Sequence, residues 1–225
     1  MPKFVQNWRT AWGIPIFREQ FLTSIIALLV ALVAIRLFLD FIETRPGVVL
    51  HDPILSFLPA VDLRLIAFSL VYSGMLLGFI SLSLYPFSFL LAMRACVVLI
   101  LARIVCLSLL PLDPPAGIIP FADPFIQLPD VRPVYTRDLF FSWHIALLSL
   151  FVYTARWRDM KLIFAAGALV ISILLLLQHV EYTIDIVAAP CFAYMAYGVA
   201  KRLTIREAAA GPARRQAERA DGHRP

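Results

Sequence analysis

Polar side chains are costly inside apolar segments, so the few that interrupt such segments here are the first candidates for chemistry. They are Arg36 and Asp40; Arg94 and Arg103; Asp138, Ser142 and His144; and His179, Glu181, Tyr182 and Asp185. Arg36 and Asp40 stand four apart, the spacing of a local ion pair on one helix face. Arg94 can carry its charge along its stem to a membrane surface, whereas Arg103 lies deeper in its run. An arginine neutralises phosphate oxygens bidentately. A histidine can protonate a leaving alkoxide, or attack phosphorus when a carboxylate holds its tautomer. Arg103, His144 and the carboxylates Glu181 and Asp185 therefore form a set suited to phosphoryl transfer, with no cofactor and no metal required. A second chemistry, metal-assisted hydrolysis, would use His144, Glu181 and Asp185, with His179 as an optional fourth ligand; these oxygen and imidazole donors suit Mn, Zn or Fe. These residues lack the HExxH spacing of zinc hydrolases.

The elements that must carry these residues follow from composition. The chain has 225 residues, 61% of them hydrophobic and only 16% charged, against about 25% charged in a soluble domain. That balance excludes an ordinary soluble enzyme and a disordered chain. It predicts an all-α, polytopic membrane protein, because a helix crosses a bilayer with about 20 apolar residues. Six runs qualify: 21–42, 65–84, 87–110, 139–155, 162–178 and 183–203. Residues 1–20, with Trp8, Trp12 and Phe17 among Arg9 and Arg18, predict an interfacial segment. Residues 204–225 predict a basic, disordered tail. Gly74 and Gly78 form a GxxxG, the signature of close helix contact.

Charge predicts orientation. Lys3, Arg9 and Arg18, then Arg156, Arg158 and Lys161, then the tail all fall on one side of a six-span bundle. That side is cytoplasmic by the positive-inside rule, so both termini are cytoplasmic. The net charge of +5 is thus a topological signal, and nucleic acid is not an expected partner. The other side receives residues 43–64 and 111–137. The second of these loops carries prolines at 111, 114, 115, 120, 124, 129 and 133, which forbid a continuous helix and favour an extended cover. In this layout Arg103, then Asp138 to His144, then His179 to Asp185 all return to the non-cytoplasmic level. Three stretches distant in sequence would deliver a cation, an imidazole and carboxylates to one place, or alternatively form a salt-bridge cluster around Arg103.

At these residues the chain resembles the type 2 phosphatidic acid phosphatase superfamily and, within it, the sphingomyelin synthase-like branch. The resemblance covers roughly residues 52–197. It is carried by Leu58, Pro59, Ala60, Val61 and Asp62; by Arg94 and Arg103 leading to Leu110 and Pro111; by Arg137 and Asp138 leading to Ser142, Trp143 and His144; and by His179, Glu181, Tyr182, Thr183 and Asp185. It implies a six-helix layout and a site on the non-cytosolic face. It also implies that His144 is the acid–base histidine of a serine-glycine-histidine element. Asp185 would be the aspartate that orients a phosphorylated histidine. Trp143 stands where that element has glycine, and Ile145 where threonine is common. Glu181 stands where the nucleophilic histidine is expected.

Three readings of Glu181 follow. It serves as base or nucleophile in a modified mechanism; or His179 supplies the imidazole; or the chain binds or moves lipids without turnover. The first is favoured, with His179 as a neighbour, since His179 and Asp185 do not share a face of a regular helix. The combined expectation is a lipid phosphatase or phospholipid headgroup phosphotransferase in a bacterial inner membrane or its equivalent. Its substrate would be a phospholipid or lipid phosphate, with a lipid alcohol as acceptor if the headgroup is transferred. His144, Asp185 and Glu181 are its catalytic candidates. Arg103, Asp138, Ser142, Tyr182 and His179 are its substrate-binding candidates.

Overall fold

The computed structural model describes residues 3–120 and 135–221, with side chains through residue 210. Eight helices make up these residues: α1 (Lys3–Trp12), α2 (Pro15–Thr44), α3 (Pro53–Phe57), α4 (Arg64–Ser83), α5 (Pro86–Leu109), α6 (Trp143–Thr154), α7 (Arg158–Leu177) and α8 (Thr183–Asp221). Prolines 15, 53 and 86 each open a helix. Proline is tolerated there because a first-turn N–H has no intrahelical partner. Five helices (α2, α4, α5, α7 and α8) are long and apolar enough to cross a membrane. Together they make this a helical, multi-pass membrane protein. The outward stripe of α2 supports that reading: Leu22, Ile26, Leu29, Val33 and Leu37 are all more than half exposed. Such a stripe is stable facing lipid tails rather than water.

α6 differs from expectation. The apolar run 139–155 is helical only from Trp143 to Thr154, 12 residues, or about 18 Å of helix. Two carbonyls that a longer helix would use, those of Asp138 and Phe141, instead accept from the Arg103 guanidinium. Ser142 then caps the shortened helix, its Oγ accepting from the Ile145 N–H. α6 can be short because α4, α5, α7 and α8 all pack against it. The other boundary difference lies at the end of the chain. α8 continues past residue 203 to Asp221, where a disordered tail is expected. Ala208, Ala209 and Ala210 lie in this continuation, and alanine has the highest helix propensity.

The bundle has two distinct ends. At one, the α4–α5 turn meets α1 and the α6–α7 turn. Trp8 Nε1 donates to the Ser83 carbonyl at 2.7 Å and Asn7 Nδ2 to that of Leu84 at 3.0 Å. Tyr85 packs on Trp157 and lies under Arg156. Near this end Arg94 joins three helices, donating to Ser24, Thr204 and Glu207. At the other end the loops interlock. Val48 and Leu112 form a short parallel bridge, and Val61 and Ile119 donate to the carbonyls closing α7. Six helices (α2, α4, α5, α6, α7 and α8) pack into this bundle, and α6 is the shortest of them.

α4 meets α6 through the GxxxG pair. A Cβ on Gly74 would lie 2.9 Å from Leu148, and one on Gly78 would lie 2.4 Å from the Phe151 ring. Glycine is what allows these helices to touch. Of the proline-rich cover, prolines 124, 129 and 133 lie outside the described residues.

Candidate functional site

The site candidates meet at the loop end, and the α7–α8 connection is the piece that organises them. α7 closes in a Schellman motif: the His179 N–H donates to the Leu176 carbonyl and the Val180 N–H to that of Leu175. His179 fills the left-handed position, at φ 54°, which glycine usually takes. Its ring compensates by tying two loops together. Nδ1 lies 3.2 Å from the Ala116 carbonyl and Nε2 lies 3.1 Å from that of Leu58.

α8 begins immediately afterwards with two carboxylates at its N-terminus. Asp185, at the third helical position, accepts the Tyr182 N–H at 3.0 Å, the return half of a capping box. Asp52 accepts the Thr183 N–H at 2.7 Å and its hydroxyl at 3.1 Å. The same Asp52 caps α3 through the Ile54 and Leu55 N–H groups. Burial opposes ionisation of Asp52, but donors from Thr183, Leu55 and Ile54 outweigh it and hold the carboxyl below its ordinary value. Sequence reasoning missed Asp52, although an Asp-Pro pair before a helix is a legible capping signal.

His144 and Glu181 are brought together. The imidazole Nδ1 of His144 lies 3.9 Å from Glu181 Oε1, with the two side chains 24% and 6% exposed. That spacing is an ion-pair distance for a protonated imidazole and longer than a hydrogen bond. The second Glu181 oxygen, Oε2, accepts no hydrogen bond among the described residues. Asp185 is fully buried and lies within Coulombic reach of both Glu181 and Arg103. Its carbonyl accepts the Ser142 N–H at 3.1 Å, which docks the start of α6 onto α8. The carboxylate next to His144 is thus Glu181, with Asp185 behind it in a capping role.

The remaining candidates take other positions. Arg103 is 3% exposed, and its guanidinium is engaged by the segment before α6. Its Nη2 donates to Asp138 Oδ1 at 2.7 Å and to the Asp138 carbonyl at 3.0 Å, and Nε reaches the same Oδ1 at 3.1 Å. Nη1 donates to the Phe141 carbonyl. Arg103 and Asp138 therefore pair with each other, the arrangement of the salt-bridge alternative. Tyr182 is 1% exposed. Its hydroxyl donates to the Asp113 carbonyl at 2.8 Å and accepts the Leu50 N–H at 3.1 Å. Burial raises its phenol above the ordinary value, with the charges of Asp185, Asp113 and Asp52 adding to the effect against the Leu50 donor. Ser142 is the α6 cap. His179 and Tyr182 line a separate cavity of about 420 Å³ with His51, Asp52 and Ala116.

The metal-assisted alternative drew on His144, Glu181 and Asp185, with His179 as an optional fourth ligand. His179 is held on the far loops, and among the described residues no group of three His, Cys, Asp or Glu side chains could hold a metal ion. Sequence reasoning also missed a clasp that anchors the returning loop. Glu43 accepts the Thr136 hydroxyl and the N–H groups of Thr136 and Arg137, while Arg137 Nε donates to Asp113 at 2.6 Å. No family model, no curated protein and no solved structure matches this chain.

Proposed function

We propose that the protein crosses the membrane six times with both termini cytoplasmic. In this reading it acts at the non-cytoplasmic leaflet on a phospholipid or lipid phosphate, hydrolysing its phosphate ester or transferring its phosphorylated headgroup to a lipid alcohol. The orientation is supported by Arg9, Arg18, Arg156, Arg158 and Lys161, which stand at the end opposite the interlocked loops, as cytoplasmic loops do. The observation that carries the chemistry is the His144–Glu181 pair, because it joins a proton donor to a buried carboxylate at the head of an apolar groove.

In the hydrolytic form, Glu181 takes a proton from a water whose oxygen bonds to phosphorus. The ester P–O bond breaks, and protonated His144 gives its proton to the departing alkoxide. The products are the lipid alcohol and a phosphate, and the proton taken up by Glu181 returns to His144 through solvent. In the transfer form, a lipid hydroxyl replaces the water. Asp185 positions the turn that carries Glu181, and Arg103 positions the segment that begins α6. A second reading, lipid binding without turnover, is favoured by one observation: Arg103 commits its guanidinium to Asp138 and Phe141.

The test is purified full-length protein in vesicles, offered phosphatidic acid, then phosphatidylcholine or phosphatidylethanolamine with a ceramide or diacylglycerol acceptor. Lipid products and free phosphate are followed by mass spectrometry and a phosphate assay. Turnover that falls about 10²–10⁴-fold in both His144→Ala and Glu181→Gln is the expected result. No turnover by the wild type, or full turnover by His144→Ala, would overturn the enzymatic reading.

A further inference from the structure

The α4–α6 interface is not closed along its whole length. Toward the middle of the bundle the helices touch at Gly74 and Leu148, then at Gly78 and Phe151. Nearer the loop end they leave a groove of about 200 Å³, bounded by Phe68, Tyr72 and Met75 on α4 and by Trp143, His144 and Leu148 on α6. Phe68 and Leu148 are buried, whereas Tyr72 and Met75 are 38% and 40% exposed. The groove's outer lip therefore merges with the exposed apolar face of α4, which includes Leu65, Leu76 and Phe79. His144 is its polar boundary.

We propose that this groove seats a single alkyl chain of a membrane lipid, close to the lipid's polar head. The proposal rests on the lipid-directed reading above and adds where the chain lies and how many chains fit. An apolar cavity of roughly 150 Å³ takes one benzene, so 200 Å³ holds on the order of eight carbons. That is the first part of one chain and too little for two. The rest of the chain passes Tyr72 and Met75 into the bilayer. Lipid tails are as apolar as the groove, so burial there brings no hydrophobic gain. The groove acts by shape, fixing the head against His144 and Glu181. The contact of Gly74 with Leu148 sets its depth.

The experiment is photolabelling of the full-length protein in vesicles with phosphatidic acid bearing a diazirine on one chain. The diazirine is placed at about the sixth carbon, within the reach estimated from the groove's volume. A second probe carries it near the chain end. The expected result is that the first probe labels Tyr72, Met75 and their neighbours on α6, while the second labels the lipid-facing surface broadly. Met75→Trp fills the groove from its exposed lip and loses most of the first probe's labelling. Leu76→Trp, one residue away on the outer face of α4, keeps it. Labelling at Met75 with no turnover would sink the catalytic reading and leave the seat standing. Uniform labelling from both probes, or labelling unaffected by Met75→Trp, would overturn the seat whatever the activity.

Discussion

Replacing Gly78 with alanine measures how closely α4 and α6 must approach. The new Cβ would lie 2.4, 2.6 and 2.7 Å from three carbons of the Phe151 ring. Forcing an extra methyl into a packed contact costs about 1–3 kcal/mol. Alanine in a helix interior returns about 1 kcal/mol through propensity. The net effect of Gly78→Ala alone is therefore ambiguous in size, and a matched control removes the ambiguity. Gly167 on α7 is also inside a helix, but a Cβ there would meet nothing within 4 Å. The propensity gain is common to both variants, so the difference between them reports the clash, about 1–3 kcal/mol. For a domain of this size each kcal/mol moves the melting point by about 2–4 °C. Gly78→Ala should thus melt roughly 2–12 °C below Gly167→Ala, read by tryptophan fluorescence in detergent micelles. Phe151→Leu, which removes ring carbons, should shrink that gap. Equal melting of the two alanine variants, or a gap insensitive to Phe151→Leu, would refute the packing argument.

Two further perturbations probe the loop end. Asp138→Ala leaves the buried Arg103 guanidinium without its carboxylate and should destabilise the protein by about 3 kcal/mol. Adding Arg103→Met should recover part of that loss, and a double variant no better than Asp138→Ala would contradict the pairing. Asp52 predicts a pH dependence. Its folded-state carboxyl titrates below its unfolded value, so its contribution is present above about pH 4 and lost as the pH falls through the folded value. Asp52→Asn should therefore flatten the acid limb of the stability profile, measured as melting temperature between about pH 6 and pH 3. An unchanged acid limb would show that Thr183 is capped some other way.

Much of the scaffold was legible because membrane helices advertise themselves. With no water to satisfy the backbone, each crossing needs a long apolar run, and the runs at 65–84, 87–110 and 162–178 match α4, α5 and α7 within a few residues. Gly74 and Gly78 were legible for a related reason, since a small residue every fourth position marks one helix face. The length of α6 was not legible. Hydropathy counts apolar residues, and Leu139, Phe140 and Phe141 are apolar. It cannot register that Arg103, distant in sequence, takes the carbonyls of Asp138 and Phe141 out of the helical ladder.

The same division holds at the site. Residue types and spacing alone nominated His144, Glu181 and Asp185, because polar groups beside apolar runs are rare and expensive. They also determined that His144 and Glu181 fall at one end of the bundle, two helix lengths apart in the chain. Which carboxylate meets the imidazole, and which cation stays available, was decided only in three dimensions. Asp185 is drawn to the Tyr182 N–H just before α8, Arg103 to Asp138, and His179 to two loop carbonyls. Buried polar groups pair with whatever partner the fold brings within about 3 Å. Sequence names the groups that need partners, and tertiary structure assigns them.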